Sequence, residues 1–129
     1  MEESKKILIV EDEAIHAMYL KILLKNSGYD ITGTEGTGEG AIASVEQNQP
    51  DLALMDITLR NSIDGLEVAN ILRKKYIFPI IFISGYDDDD TLSRIETISN
   101  TWKLTKPIED TTLTDLIREI FDDSVKVTD

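Results

Sequence analysis

Three short stretches of this chain are apolar without interruption: ILIV at residues 7–10, LALM at 52–55 and IIFI at 80–83. A strand with one face in water alternates apolar and polar side chains, so an unbroken run needs cover on both faces. Parallel sheets clothed by helices provide that cover. Two other stretches, YDIT at 29–32 and WKLT at 102–105, do alternate and read as half-exposed strands at the sheet edges. Helical patterns are expected at 14–27, 38–47, 65–75, 90–98 and 112–121. Gly28 is a natural stop for the first, and Pro50 closes off the second. Strand and helix alternate five times with short connections. That predicts an α/β fold, a doubly wound five-stranded parallel sheet with helices on both sides.

The 129 residues suffice for one domain with a real core. The expected core spans about residues 5–122, and 123–129 are expected to form a loose tail. The absence of cysteine excludes disulfides and thiolate metal sites and fits a reducing compartment. No apolar stretch approaches membrane-spanning length, and no signal peptide follows MEESKK, so a cytoplasmic location is expected. A formal net charge of −12 argues against nucleic acid or an anionic membrane as partner and favours a cation or a basic protein surface.

Ligands of open α/β sheets sit outside the carboxyl ends of the strands. The first strand delivers Glu11 and Asp12 there, the third ends in Asp56, the fourth in Ser84 and the fifth runs into Lys106. Three carboxylates facing a single lysine are undercompensated, and a hard divalent cation with oxygen ligands would supply the missing charge. Magnesium also leaves positions for phosphate oxygens, so the pattern suits phosphoryl transfer. Glu13 is assigned only to the helix start, where the helix dipole favours an acid.

These residues carry a resemblance. ILIVEDE, PDLALMDITL, DGLEVANILR, PIIFISG and LTKPI together resemble the receiver domains of two-component response regulators over nearly the whole chain. The resemblance implies a flavodoxin-like strand order of 2-1-3-4-5, an order already known for a chemotaxis member of this family. It implies that Asp56 accepts a phosphoryl group from a histidine kinase, a histidine phosphotransfer protein or a small acyl phosphate. Mg2+ would be held by Asp12, Asp56 and the Thr58 backbone carbonyl, with Glu11 acting largely through water. Ser84 would bond the new phosphoryl group and Lys106 would pair with its oxygens. The domain would be a phosphoprotein and not an enzyme, beyond its own phosphorylation and dephosphorylation, and would signal by altered binding to a downstream protein. With no output domain after the fifth helix, a stand-alone receiver is expected.

The sequence departs from the family pattern in two places. Arg60 stands where a proline is common, in an LRNSIDG loop one residue longer than usual. Lys103 occupies the position of the usual aromatic switch residue, three before the lysine. The FISGY segment is similar to that of receivers with a Phe-x-Thr/Ser-Gly-Tyr segment, which makes Tyr86 the substitute switch beside Ser84. Trp102 is the competing switch candidate but, as the lone tryptophan on an alternating edge strand, is expected to pack as core.

On helix one, Ile15, Met18 and Ile22 form a second apolar stripe, read as a kinase-docking patch; a wider buried face is the alternative. His16 reads as a core or boundary residue and not as a phosphorelay histidine. The glycine-rich TGTEGTGEGA lacks a phosphate-loop lysine and reads as a turn and helix start. The acids at 87–90 read as a solvated loop and helix start. Two rivals to the receiver are a small phosphatase with an aspartyl nucleophile, whose Asp-x-Asp motif is missing after strand one, and a degenerate receiver that only binds.

Overall fold

The computed structural model describes residues 4–60, 62–85 and 88–127, with side chains described to residue 123. Its elements alternate along the chain: β1 (Lys6–Val10), α1 (Ala14–Asn26), β2 (Asp30–Glu35), α2 (Gly38–Gln47), β3 (Leu52–Asp56), α3 (Gly65–Leu72), β4 (Ile80–Ser84), α4 (Asp89–Glu96), β5 (Thr101–Thr105) and α5 (Asp110–Val127). The strands form one parallel sheet in the order β2-β1-β3-β4-β5. The three unbroken apolar runs are its three central strands, and every residue of β3 and β4 is buried. The alternating segments are the half-exposed edges, β2 and β5.

Successive residues of a strand face opposite sides, so the central strands feed two cores. On one side Leu8, Val10, Ala53, Met55, Ile80 and Phe82 meet Ala41 and Val45 of α2 and Leu66, Ala69 and Leu72 of α3. On the other, Ile7, Ile9, Leu52, Leu54, Ile81 and Ile83 meet Leu20 and Leu24 of α1 and Leu113 and Ile117 of α5. Trp102 packs against this second core, as expected. Full burial of one such side chain stabilises by about 1.5–3 kcal/mol.

Local chemistry sets the helix boundaries. Thr37, Asp64 and Asp88 cap α2, α3 and α4, their side-chain oxygens accepting from the main-chain N–H of Gly40, Glu67 and Thr91. Each such cap stabilises by about 1 kcal/mol. The Thr37 cap makes the glycine-rich segment a strand end and helix start. Gly28 follows α1 at φ +99°, a left-handed conformation that favours glycine.

Several boundaries differ from the sequence expectation. β2 continues through the polar Gly33-Thr34-Glu35 because pairing with β1 holds it, across a register shift between Ile7 and Leu8. α3 stops at Leu72, and the Arg73 side chain then donates to the carbonyls of Tyr76, Ser99 and Asn100. α4 starts at Asp89, behind its Asp88 cap, and ends at Glu96, where Thr97 Oγ1 donates to the Arg94 carbonyl. α5 begins at Asp110 and runs to Val127, so helix replaces most of the expected loose tail. No glycine or proline follows Pro107 to stop it.

On α1, Ala17, Leu20 and Leu24 are buried, whereas Ile15, Met18 and Ile22 are 87%, 63% and 54% exposed. The second stripe is therefore not part of a wider buried face. No helix among the described residues is long and apolar enough to cross a membrane.

Candidate functional site

The site forms where β1, β3 and β4 end together and β5 runs into its following loop. β1 ends at Val10, and the main-chain N–H of Glu11 bonds the Glu35 carbonyl, carrying the acidic pair to the sheet edge. Glu11 and Asp56 are buried, and Asp12 is nearly so. One carboxylate oxygen from each of Glu11, Asp12 and Asp56 lies within 4.8 Å of the others. An all-oxygen donor set of this kind fits a hard divalent cation such as magnesium.

The charges are better compensated than the sequence suggested. Asp56 Oδ2 accepts from Lys106 Nζ at 2.8 Å, and Oδ1 accepts from the Thr58 main-chain N–H at 3.0 Å. Lys106 Nζ also lies 3.8 Å from Glu11 Oε1. Glu11 has a partner of its own, His16, whose Nδ1 lies 2.5 Å from Oε1, and its Oε2 accepts from the Glu13 N–H at 3.1 Å. Asp12 Oδ2 accepts from the Arg60 N–H at 2.8 Å, with the guanidinium Nε 3.7 Å away. The expectation of three acids facing a single lysine is thus corrected in part: Arg60 is a second cation beside Asp12, and Glu11 has His16 as a hydrogen-bond partner.

These contacts compete with burial in setting the ionisation. Burial raises the Glu11 carboxyl above its ordinary range, and nearby Asp56 adds to the rise; the bonds from His16 and Glu13 oppose it. For Lys106, burial pulls the ammonium down, but its bond to Asp56 and the charges of Asp56 and Glu11 outweigh that, so the net direction is upward. Lys106 stays a cation at neutral pH.

The remaining expected residues fall as follows. Ser84 ends β4, buried, with its carbonyl accepting from the Lys106 N–H at 2.8 Å, so β4 and the lysine are tied together. Thr58, Arg60, Gly85 and Lys106 line one cleft of about 280 Å³ with Asp12, Glu13 and Asp56. Glu13 precedes α1 and makes no side-chain cap bond. Lys103, at the usual aromatic position, donates from Nζ to Thr105 Oγ1 at 2.8 Å. Tyr86 and Asp87 lie outside the described residues, so the expected switch does too. His16 is a boundary residue at the rim of the site, and neither it nor Arg60 was foreseen as a partner of the acids.

A glycine closes the back of the site. Gly65 donates its N–H to the Ile57 carbonyl at 2.8 Å, and a Cβ there would fall 2.2 Å from the Asp56 carbonyl oxygen. Only glycine lets the start of α3 approach the strand end so closely.

Comparison with known proteins agrees with this geometry. The family model described as "Response regulator receiver domain" matches residues 7–118. The chain is 33% identical over 116 residues to the transcriptional regulatory protein PdtaR of Mycobacterium tuberculosis, covering 90% of this chain and 55% of PdtaR. It is 39% identical over 87 residues to the alkaline phosphatase synthesis transcriptional regulatory protein PhoP of Bacillus subtilis, covering 67% of this chain and 35% of PhoP. The chain thus spans about half the length of PdtaR and about a third of PhoP. Among solved structures, the signal receiver domain of a modulated diguanylate cyclase from Desulfovibrio desulfuricans superposes with a TM-score of 0.85 at 34% identity, covering 96% of this chain and 99% of that one. The chemotaxis protein CheY4 of Vibrio cholerae shares the fold, with a TM-score of 0.84 at 20% identity over 92% of this chain and 99% of that one. With the family model covering most of the chain and the acids, the buried serine and the lysine meeting at one sheet edge, the chain belongs to the response regulator receiver domain family.

Proposed function

We propose that Asp56 accepts a phosphoryl group from the phosphohistidine of a histidine kinase or phosphotransfer protein, and that the altered site changes affinity for a downstream protein. One observation carries this reading. The Asp56 carboxylate stands at the end of a central strand, fixed at one oxygen by Thr58 N–H and at the other by Lys106, beside two further acids.

In the transfer, an Asp56 oxygen forms a bond to phosphorus while the bond from phosphorus to the donor's nitrogen breaks, its electron pair staying on the donor. Lys106, held next to Asp56, offsets the charge gathering on the phosphoryl oxygens. The hydroxyl of Ser84, a buried residue at the end of β4, is assigned to the same oxygens, and Tyr86 to sensing the shift that follows. Glu11, Asp12, Asp56 and the Thr58 carbonyl would hold magnesium, which when bound supplies positive charge against the carboxylates and phosphoryl oxygens. The exposed Ile15, Met18 and Ile22 stripe is assigned to kinase docking.

Intact mass measurement after incubation with magnesium and a small acyl phosphate tests the assignment. The native protein should gain one phosphoryl group and Asp56→Asn none. An Asp56→Asn protein phosphorylated at the native rate refutes it.

A further inference from the structure

Arg60 sits in the site through two contacts of different kinds. Its main-chain N–H bonds Asp12 Oδ2 at 2.8 Å, and its guanidinium Nε lies 3.7 Å from the same oxygen. The Arg60 side chain is 73% exposed while the Asp12 side chain is 11% exposed, so the acid is fixed and the cation on it can swing away. The other two acids are held differently: Glu11 and Asp56 pair with His16 and Lys106, which are both part-buried.

Asp12 is also one of the three oxygens gathered for a divalent cation. A guanidinium resting on that oxygen and a metal seeking it compete for one anion. From this, and resting on the reading of Glu11, Asp12 and Asp56 as the magnesium site, we infer that Arg60 is a displaceable internal counter-cation. It neutralises Asp12 in the metal-free protein and lowers magnesium affinity until it moves off. The main-chain bond keeps Asp12 aimed whether or not the side chain is present, so the effect belongs to the guanidinium. An exposed ion pair shifts an equilibrium by up to roughly fivefold, which bounds the expected change.

Calorimetric titration of the full chain with magnesium chloride, at fixed low ionic strength, tests this. Arg60→Ala should bind magnesium about two- to fivefold more tightly than the native protein, and Arg60→Lys should restore most of the native affinity. Raising the ionic strength should shrink the difference. Lys21→Ala is the control, because Lys21 is another exposed cation near Glu11 and Asp12, lining a separate hollow with them. Unchanged or weaker binding by Arg60→Ala overturns the inference, as does an equal gain in Lys21→Ala, which would mean only a general field. Absence of magnesium binding to the native protein overturns the metal site itself, a distinct result.

Discussion

His16 Nδ1 and Glu11 Oε1 lie 2.5 Å apart, bringing a residue of the first turn of α1 back onto the acid that follows β1. An ionised carboxylate only accepts, so the imidazole donates from Nδ1 to the charged form of Glu11. Glu11 is buried, and losing this partner leaves a desolvated oxygen short of a bond. His16→Phe should therefore lower the stability of the metal-free protein by about 1–3 kcal/mol. Chemical denaturation checks this; unchanged stability would mean that the contact contributes nothing.

Magnesium should stabilise the native fold, because a ligand that binds only the folded state adds RT ln(1 + [L]/Kd). That is about 1.4 kcal/mol at roughly ten times Kd. Asp12→Ala should abolish most of this response. Thermal melts at constant ionic strength, with and without magnesium, separate the metal from general screening. A native protein whose melting temperature does not move would exclude the site.

Lys106 gives a pH dependence of defined sign. Its ammonium titrates above the ordinary lysine value of 10.5 in the folded protein, so the native state holds the proton more tightly than the unfolded one. The stabilisation is fully present below 10.5 and is lost as pH rises through the higher folded value. Lys106→Gln should therefore cost about 1 kcal/mol at neutral pH, and the gap from the native protein should close only in the alkaline range. A gap that closes below pH 9 would contradict the contact with Asp56.

If the exposed stripe on α1 docks the phosphoryl donor, as proposed, recognition and chemistry are separable. Met18→Glu places a charge among Ile15 and Ile22 without touching the core, so folding should change by less than about 0.5 kcal/mol. Transfer from a cognate phosphohistidine donor should slow by tenfold or more, while labelling by a small acyl phosphate continues at the native rate. Equal rates from the protein donor would remove the docking assignment.

The sheet was readable because unbroken apolar runs leave few alternatives, and the acids were readable because each closes such a run. What escaped the sequence was long-range or marginal. Arg60 meets Asp12 across 48 residues of chain, and no local pattern marks that pairing. Helical spacing places His16 at a core boundary, but its bond to Glu11 depends on how α1 leaves β1. The polar end of β2 is held by pairing with β1, a tertiary effect that overrides composition. The end of α5 is hidden for the opposite reason, since nothing in its sequence marks a stop.

Gly65 leaves no clearance between the end of β3 and the start of α3: a single methyl group would fall 2.2 Å from the Asp56 carbonyl oxygen. A joint without play transmits displacement instead of absorbing it. The strand end bearing Asp56 and the first turn of α3 are bound to travel together, like the two arms of one lever. Gly65→Ala should disturb the position of the Asp56 carboxylate even if the two hydrophobic cores remain assembled.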